Sequence, residues 1–238
     1  MLLQTSITGV GEPIVFLHTG LQTGLTDYTF QREYFTKSYK VIAPDLRGHG
    51  QSKTNDIQNF FEDSALDLLE TIDHYHLETI HLVGCSLGAI VAMKFAQLYP
   101  ERINTLTISG ITPVKPENWS VLHSEDVEFQ GKLLENEEFT SYFDQLHVSD
   151  WRQFIYLGRD EDWYPFEDMK TLNECNFPVL FIVGEGNQHE TIGASIYPKE
   201  NKNVHIAIIP FAAHLVHEEQ PEIYTRILEE FLEQSKKK

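Results

Sequence analysis

The stretch that decides the fold is His81-Leu82-Val83-Gly84-Cys85-Ser86-Leu87-Gly88-Ala89-Ile90. Ile80 to Val83 reads as an apolar strand, the glycine-bracketed serine as a sharp turn, and the apolar run to about Tyr99 as a helix. Gly84, Ser86 and Gly88 spell G-x-S-x-G. A serine pushed out at a strained strand-to-helix turn leaves no room for side chains two residues to either side, so glycines flank it. The same turn exposes the hydroxyl and sets the Leu87 N–H at a helix N-terminus, where an oxyanion can be held. Cys85, inside the turn, reads as a small apolar packing residue. A bare G-x-S-x-G arises by chance in many sequences, so the surrounding chain has to carry the reading.

Towards the N-terminus, Pro13 to His18 is a short continuous apolar run, the pattern of a strand buried on both faces of a parallel sheet. It empties into a loop with two glycines, His18-Thr19-Gly20-Leu21-Gln22-Thr23-Gly24. Residues 2–9 read as an edge strand before it. Asp27 to Phe35 reads as a weak helix and Tyr39 to Ala43 as a strand. The turn-rich segment Pro44-Asp45-Leu46-Arg47-Gly48-His49-Gly50-Gln51-Ser52 follows. From Gln58 to His76, Phe61, Leu68, Leu69, Ile72 and Tyr75 recur at helical spacing. Beyond the serine turn, strands are predicted at Arg102 to Ser109, Phe177 to Val183 and Val204 to Ile209, with a final helix over Glu222 to Glu233. Buried apolar strands alternating with helices argue an α/β fold with a mainly parallel central sheet and helices on both faces.

Residues 111–170 break the alternation. Pro113 and Pro116 open the stretch, and all three tryptophans, Trp119, Trp151 and Trp163, lie within it among many phenylalanines and tyrosines. This predicts a helical lid, 111–170, inserted into a core formed by 1–110 and 171–238. Most of its aromatics are expected to bury one another, and a few to line an apolar pocket.

The length, 238 residues, suits one domain with such an insertion. Lys and Arg number 18 against 36 Asp and Glu, a net charge of −18. A surface that acidic repels phosphate backbones and anionic lipid, so neither nucleic acid nor membrane is an expected partner. The Lys236-Lys237-Lys238 tail is too short to reverse this and reads as a solvated end. Two cysteines, Cys85 and Cys175, make no disulfide framework. No apolar run approaches bilayer length, and no basic region followed by a long apolar stretch opens the chain, so a soluble, cytoplasmic protein is expected. His74 and His76 are two apart, but no carboxylate or third histidine is aimed at them, and a metal site is not expected.

A serine nucleophile needs a base. On strand-turn-helix esterases the chain order is serine, acid, histidine, with the histidine in the loop after the last strand. Here Pro210-Phe211-Ala212-Ala213-His214-Leu215-Val216-His217 follows the strand ending at Ile209. His214 stands where that loop returns to the carboxyl edge of the sheet. His217, one helical turn on, is expected to face outward or to cap the segment.

With these motifs together the chain resembles the α/β-hydrolase superfamily, in particular its small cofactor-free esterase, lactonase and haloperoxidase-like members. The resemblance covers nearly the whole chain: the His-x-Gly loop at His18 to Gly20, the Asp-Leu-Arg-Gly-His-Gly-x-Ser segment at Asp45 to Ser52, the elbow at Gly84 to Gly88, and the histidine loop. It implies a serine hydrolase in which Ser86 attacks an ester, thioester or lactone carbonyl of a small acyl substrate and His214 is the general base. Gly20 and Leu87 would supply the oxyanion N–H groups, and no metal or organic cofactor is implied. The Arg47 segment is a structural hallmark of the family. Thr19 stands where the family usually has glycine. A serine at the elbow argues against a dehalogenase, which would place aspartate there.

The departure is the acid. Similar proteins carry aspartate in a Gly-x-x-Asp turn, and the sequence here reads Gly184-Glu185-Gly186-Asn187-Gln188-His189-Glu190. Spacing from Gly184 puts Asn187 in the acid's place. An amide can orient an imidazole but cannot stabilise its charged form. Glu190 or Glu185 could supply the carboxylate from the same loop. The other position some family members use is here Ser109-Gly110-Ile111, without a carboxylate. A weakened Ser-His pair, or a ligand-binding or signalling protein in a hydrolase shell, is the alternative that Asn187 raises.

Overall fold

The computed structural model describes residues 1–170, 172–173 and 175–236. Lys237 and Lys238 of the expected solvated tail lie outside the described residues, and Lys236 pairs with Glu12. In chain order the elements are β1 (Thr5–Thr8), β2 (Glu12–Leu17), α1 (Thr29–Phe35), β3 (Tyr39–Pro44), α2 (Phe60–His74), β4 (Ile80–Cys85), α3 (Leu87–Leu98) and β5 (Ile103–Ser109). Four helices follow: α4 (Trp119–Leu134), α5 (Glu137–Leu146), α6 (Arg152–Leu157) and α7 (Phe166–Met169). The chain then closes with β6 (Val179–Gly184), α8 (Gln188–Thr191), α9 (Gly193–Glu200), β7 (Val204–Ile209), α10 (Val216–Glu219) and α11 (Pro221–Ser235). Each strand expected from the apolar runs forms, within a few residues of its predicted ends.

The strands make one seven-stranded sheet in the order β1-β3-β2-β4-β5-β6-β7. Only β1 is antiparallel, pairing Thr5 with Pro44 at one edge. Every other pairing is parallel, with β4 held between β2 and β5 at the centre. Successive side chains on a strand point to opposite faces, so β2, β3, β4 and β6 each feed two cores. Val15, Leu17, Leu82 and Leu106 pack with Leu68 and Ile72 of α2 and Phe95 of α3 on one face. Ile14, Phe16, Val83 and Ile182 pack with Phe35 of α1 and Tyr224 and Leu228 of α11 on the other. Burial on both sides is why these strands read as unbroken apolar runs.

The four helices of residues 111–170 sit between β5 and β6 with a small core of their own, Phe143, Trp151 and Ile155, against which Leu21, Leu134, Phe139 and Leu146 pack. The insert is fastened to the sheet side by backbone and side chain. Val148 N–H donates to Gly50 O at 3.0 Å, and the Phe154 ring stacks on His49 with centroids 4.0 Å apart. The Asp45 to Ser52 segment beneath it is itself tied down. Asp45 accepts from Gly24 N–H and Gln51 N–H, each at 2.8 Å, and Arg47 is paired to Asp63 and Asp67 of α2. Because the strands run parallel, the loops after β2, β3, β4, β5, β6 and β7 gather at one edge, and the expected functional residues gather with them.

Candidate active site

Ser86 occupies the turn between β4 and α3 with φ 53° and ψ −121°, a strained conformation for a residue with a side chain. The turn is that tight because the backbones around it touch. A Cβ on Gly84 would stand 2.5 Å from Gly88 O, and one on Gly88 would stand 2.2 Å from Leu17 O. Ser86 is half-buried, and α3 begins at Leu87, so the Leu87 N–H belongs to the first, unpaired turn of a helix. Ser86 N–H is fixed by Ser109 O at 3.0 Å.

Across Gly110 from Ser86 lies His214. Gly110 has φ +65°, and a Cβ added there would meet Ser86 N at 3.0 Å and the His214 ring at 3.1 Å. The glycine that leaves β5 is therefore the spacer that lets the imidazole come up beside the serine turn. His214 Nδ1–H donates to Glu190 Oε1 at 2.6 Å, which leaves Nε2 as the basic nitrogen of the ring. Glu190 is 2% exposed while the His214 side chain is 45% exposed, so the carboxylate lies behind the ring and the ring faces outward.

The carboxylate on the imidazole is Glu190, and this corrects the expectation built on Asn187. Asn187 instead caps α8: its Nδ2–H donates to Glu190 Oε1 at 2.6 Å, and its Oδ1 accepts from Glu190 N–H at 3.4 Å. The reason is local. A helix N-cap bonds its third residue, and the first turn of α8 swings residue 190 back over residue 187 towards the ring. Glu185, the other candidate, is exposed and accepts from Phe211 N–H at 2.9 Å, pinning the loop after β7.

Burial pushes the Glu190 carboxyl above its ordinary range, against the lowering pull of its bond to His214. Burial works to lower His214, but the Glu190 bond and charge, with Glu219 and with Asp126 of α4, outweigh it and hold the imidazole above its ordinary value. Asp126 thus acts on the ring from the insert through its charge. Within the insert, the Tyr164 hydroxyl accepts from Thr112 N–H at 2.7 Å, two residues beyond Gly110.

The loop after β2 is held as firmly. Thr19 N–H donates to Asp27 Oδ2 at 2.7 Å, and Thr19 O accepts from His18 Nδ1–H at 2.8 Å. Thr19 C=O and Gly20 N–H share one planar peptide and point opposite ways, so fixing the carbonyl aims the Gly20 N–H. Gly20 itself is exposed, with nothing within 4 Å of where a Cβ would stand. His18 accepts from Leu46 N–H on Nε2 at 2.9 Å, so the buried ring is neutral with its proton on Nδ1.

His217 does not face outward as expected. It is buried, and its Nε2–H donates to Asp27 Oδ1 at 2.7 Å. Burial alone would raise the Asp27 carboxyl, but the His217 bond and charge and the Thr19 N–H bring it down to about 2. Nothing local in the sequence links residues 27 and 217; their pairing is made by packing α10 against the loop before α1. Asp27, His217 and Glu218 also bring one ligand atom each within 4.8 Å of one another; Asp27 and His217 are paired with each other, and Glu218 is exposed.

Comparison with known proteins agrees with this architecture. A Bacillus subtilis (strain 168) protein provisionally named a 2-succinyl-6-hydroxy-2,4-cyclohexadiene-1-carboxylate synthase is 27% identical over 93% of this chain and 90% of its own length. The mouse serine hydrolase BPHL is 26% identical over 94% of this chain and 81% of its own. Among solved structures, a thermophilic esterase from Thermogutta terrifontis superposes with a TM-score of 0.75 at 23% identity, covering 98% of this chain and 93% of that one. The family model described as alpha/beta hydrolase fold matches residues 12–156, more than half of the chain, and the protein belongs to that family.

Proposed function

We propose that the protein is a serine hydrolase that cleaves a small carboxylic ester, thioester or lactone through an acyl-enzyme on Ser86. The observation that carries the reading is the Glu190–His214 pair, bonded at 2.6 Å, set across Gly110 from a strained serine. His214 Nε2 takes the Ser86 proton as Oγ attacks the carbonyl carbon, and Glu190 stabilises the imidazolium. Gly20 N–H and Leu87 N–H receive the oxyanion. Collapse breaks the bond to the leaving oxygen or sulfur, which takes the proton from His214. Water then loses a proton to the same nitrogen and attacks the acyl carbon; collapse breaks the acyl–Oγ bond, Ser86 Oγ takes the proton back from His214, and the acid leaves. Residues 111–170 act as a lid over this chemistry, and the charge of Asp126 adds to the field that favours the imidazolium. The names of relatives as esterase/lipase and serine hydrolase support the hydrolytic class.

Labelling with a fluorophosphonate tests the reading. Wild type should carry one adduct on Ser86 and hydrolyse p-nitrophenyl acetate. Ser86→Ala and His214→Ala should each lose nearly all turnover, and the double variant should be scarcely worse than either, because the two act as a unit. Near wild-type turnover in either single variant sinks the assignment.

A further inference from the structure

The carbonyls on both sides of Gly20 are held by imidazole N–H groups, and the two imidazoles come from different parts of the molecule. Thr19 O is bonded by His18, at the end of β2. Leu21 O is bonded by His147, which is the C-cap of α5 in the insert: His147 Nε2–H donates to it at 2.9 Å. On its other side, His147 Nδ1 accepts from Gly50 N–H at 2.7 Å. An imidazole that accepts on Nδ1 and donates on Nε2 is neutral and locked in one tautomer. His147 is 5% exposed, and burial holds it below its ordinary pKa, so it keeps that form.

Leu21 needs such a clamp. Its φ is +62°, a left-handed conformation that a leucine rarely adopts by itself. Its side chain packs on the insert's own core of Phe143, Trp151 and Ile155, and the Phe143 ring lies parallel to His147 with 9° between the planes. The insert therefore grips Leu21 by side chain and carbonyl together.

We propose that His147 is a positioning residue for the oxyanion loop, so that seating of the insert and the aim of the Gly20 N–H are one event. The inference rests on Gly20 serving the oxyanion, as proposed above. Attack on an acyl carbonyl then runs at full rate only with the insert docked, because only then is the left-handed Leu21 turn held.

Two substitutions separate the two bonds. In His147→Asn the amide oxygen stands near the Nδ1 position and can still accept from Gly50, but no donor reaches Leu21 O. In His147→Gln the amide nitrogen stands near the Nε2 position and keeps the donor to Leu21 O. Hydrogen exchange at residues 20–24 should speed up about tenfold or more in His147→Asn. Its kcat on p-nitrophenyl acetate should fall about tenfold with KM nearly unchanged, a loss that His147→Gln largely rescues. Exchange at residues 20–24 equal to wild type in His147→Asn overturns the proposal. If neither variant folds, nitrogen-15 spectra of wild-type His147 decide: a neutral ring protonated on Nε2 at neutral pH is expected, and a ring protonated on Nδ1 or on both nitrogens overturns it. Should the wild type fail to react with fluorophosphonate, the functional reading falls while the exchange measurement still decides the role of His147.

Discussion

Glu190 carries the electrostatics of the site with one oxygen. Oε1 receives both the Asn187 amide and the His214 Nδ1–H, while Oε2 is buried with no hydrogen-bond partner among the described residues. Glu190→Gln keeps the shape and removes the charge that stabilises the imidazolium. Its kcat should drop by at least about a hundredfold, towards the roughly 10⁴-fold cost of the equivalent amide exchange in a serine protease. The same change should move the acid limb of the rate profile. With the imidazole held above its ordinary value, wild-type activity should rise with pH through an apparent pKa above about 6.5, and Glu190→Gln should bring that limb down. Asn187→Asp, which would restore an acid if residue 187 faced the ring, instead sets a second carboxylate against Glu190. Like charges at that distance disfavour ionisation of the pair, so kcat at neutral pH should fall by about tenfold. A rise in Asn187→Asp would show that residue 187, not 190, supports the histidine.

At the scale of elements, the site is a junction of strand ends whose spacing is set by small residues. Gly110 is the tightest point. Adding a methyl group there asks an L-residue to hold φ +65° and puts Cβ about 3 Å from Cys85 Sγ, Ser86 N and the His214 ring at once. Left-handed strain and overpacking together cost about 2–4 kcal/mol, and two of the neighbours that must give way belong to Ser86 and His214, the residues proposed to react. Gly110→Ala should therefore lower the melting temperature by several degrees and cut kcat by more than about tenfold. Unchanged kcat in a folded Gly110→Ala protein would show that the approach of His214 is set elsewhere. The insert works differently, since its most deeply buried tryptophan, Trp151, is 1% exposed and donates to Asp144 at 2.9 Å. That tryptophan belongs to the insert's core.

For the whole molecule, the Asp27–His217 pair ties the loop before α1 to α10 at the far end of the chain, across 190 residues. Its pH dependence has a definite sign. The Asp27 carboxyl sits at about 2 in the folded protein, below its ordinary value of about 3.9 when unfolded. A depressed carboxylate contributes stability that is fully present above the unfolded value and is lost as pH falls through the folded one. Roughly 2 kcal/mol should therefore disappear between about pH 4 and pH 2. Asp27→Asn should be less stable at neutral pH and show a shallower loss over that window in denaturant titrations. Identical slopes for the two proteins would show that other carboxylates govern the acid limb. Above that window the net charge of −18 repels itself, so added salt should raise the melting temperature at neutral pH.

The sequence by itself determined the sheet, the serine turn and the histidine loop. These are written in local patterns: apolar runs that need burial on both faces, glycines where backbones touch at Gly84 and Gly88, and a histidine placed by chain order. Chain order singled out Ser86 and His214, and the family resemblance pointed to Gly20 and Leu87, for the roles proposed above. Only the tertiary structure decided what meets what. The spacing from Gly184 points to Asn187, yet one turn of α8 delivers Glu190 to the ring, and a shift of three residues is invisible to a pattern that does not know where a helix begins. His217 reads as facing outward or capping its segment and is buried on Asp27, while His147 lies among the polar residues of the insert with nothing to mark it. Their partners are 190 and 126 residues away in the chain. Hydrogen bonds of that reach are satisfied by the packing of whole elements, and no neighbour in sequence records them.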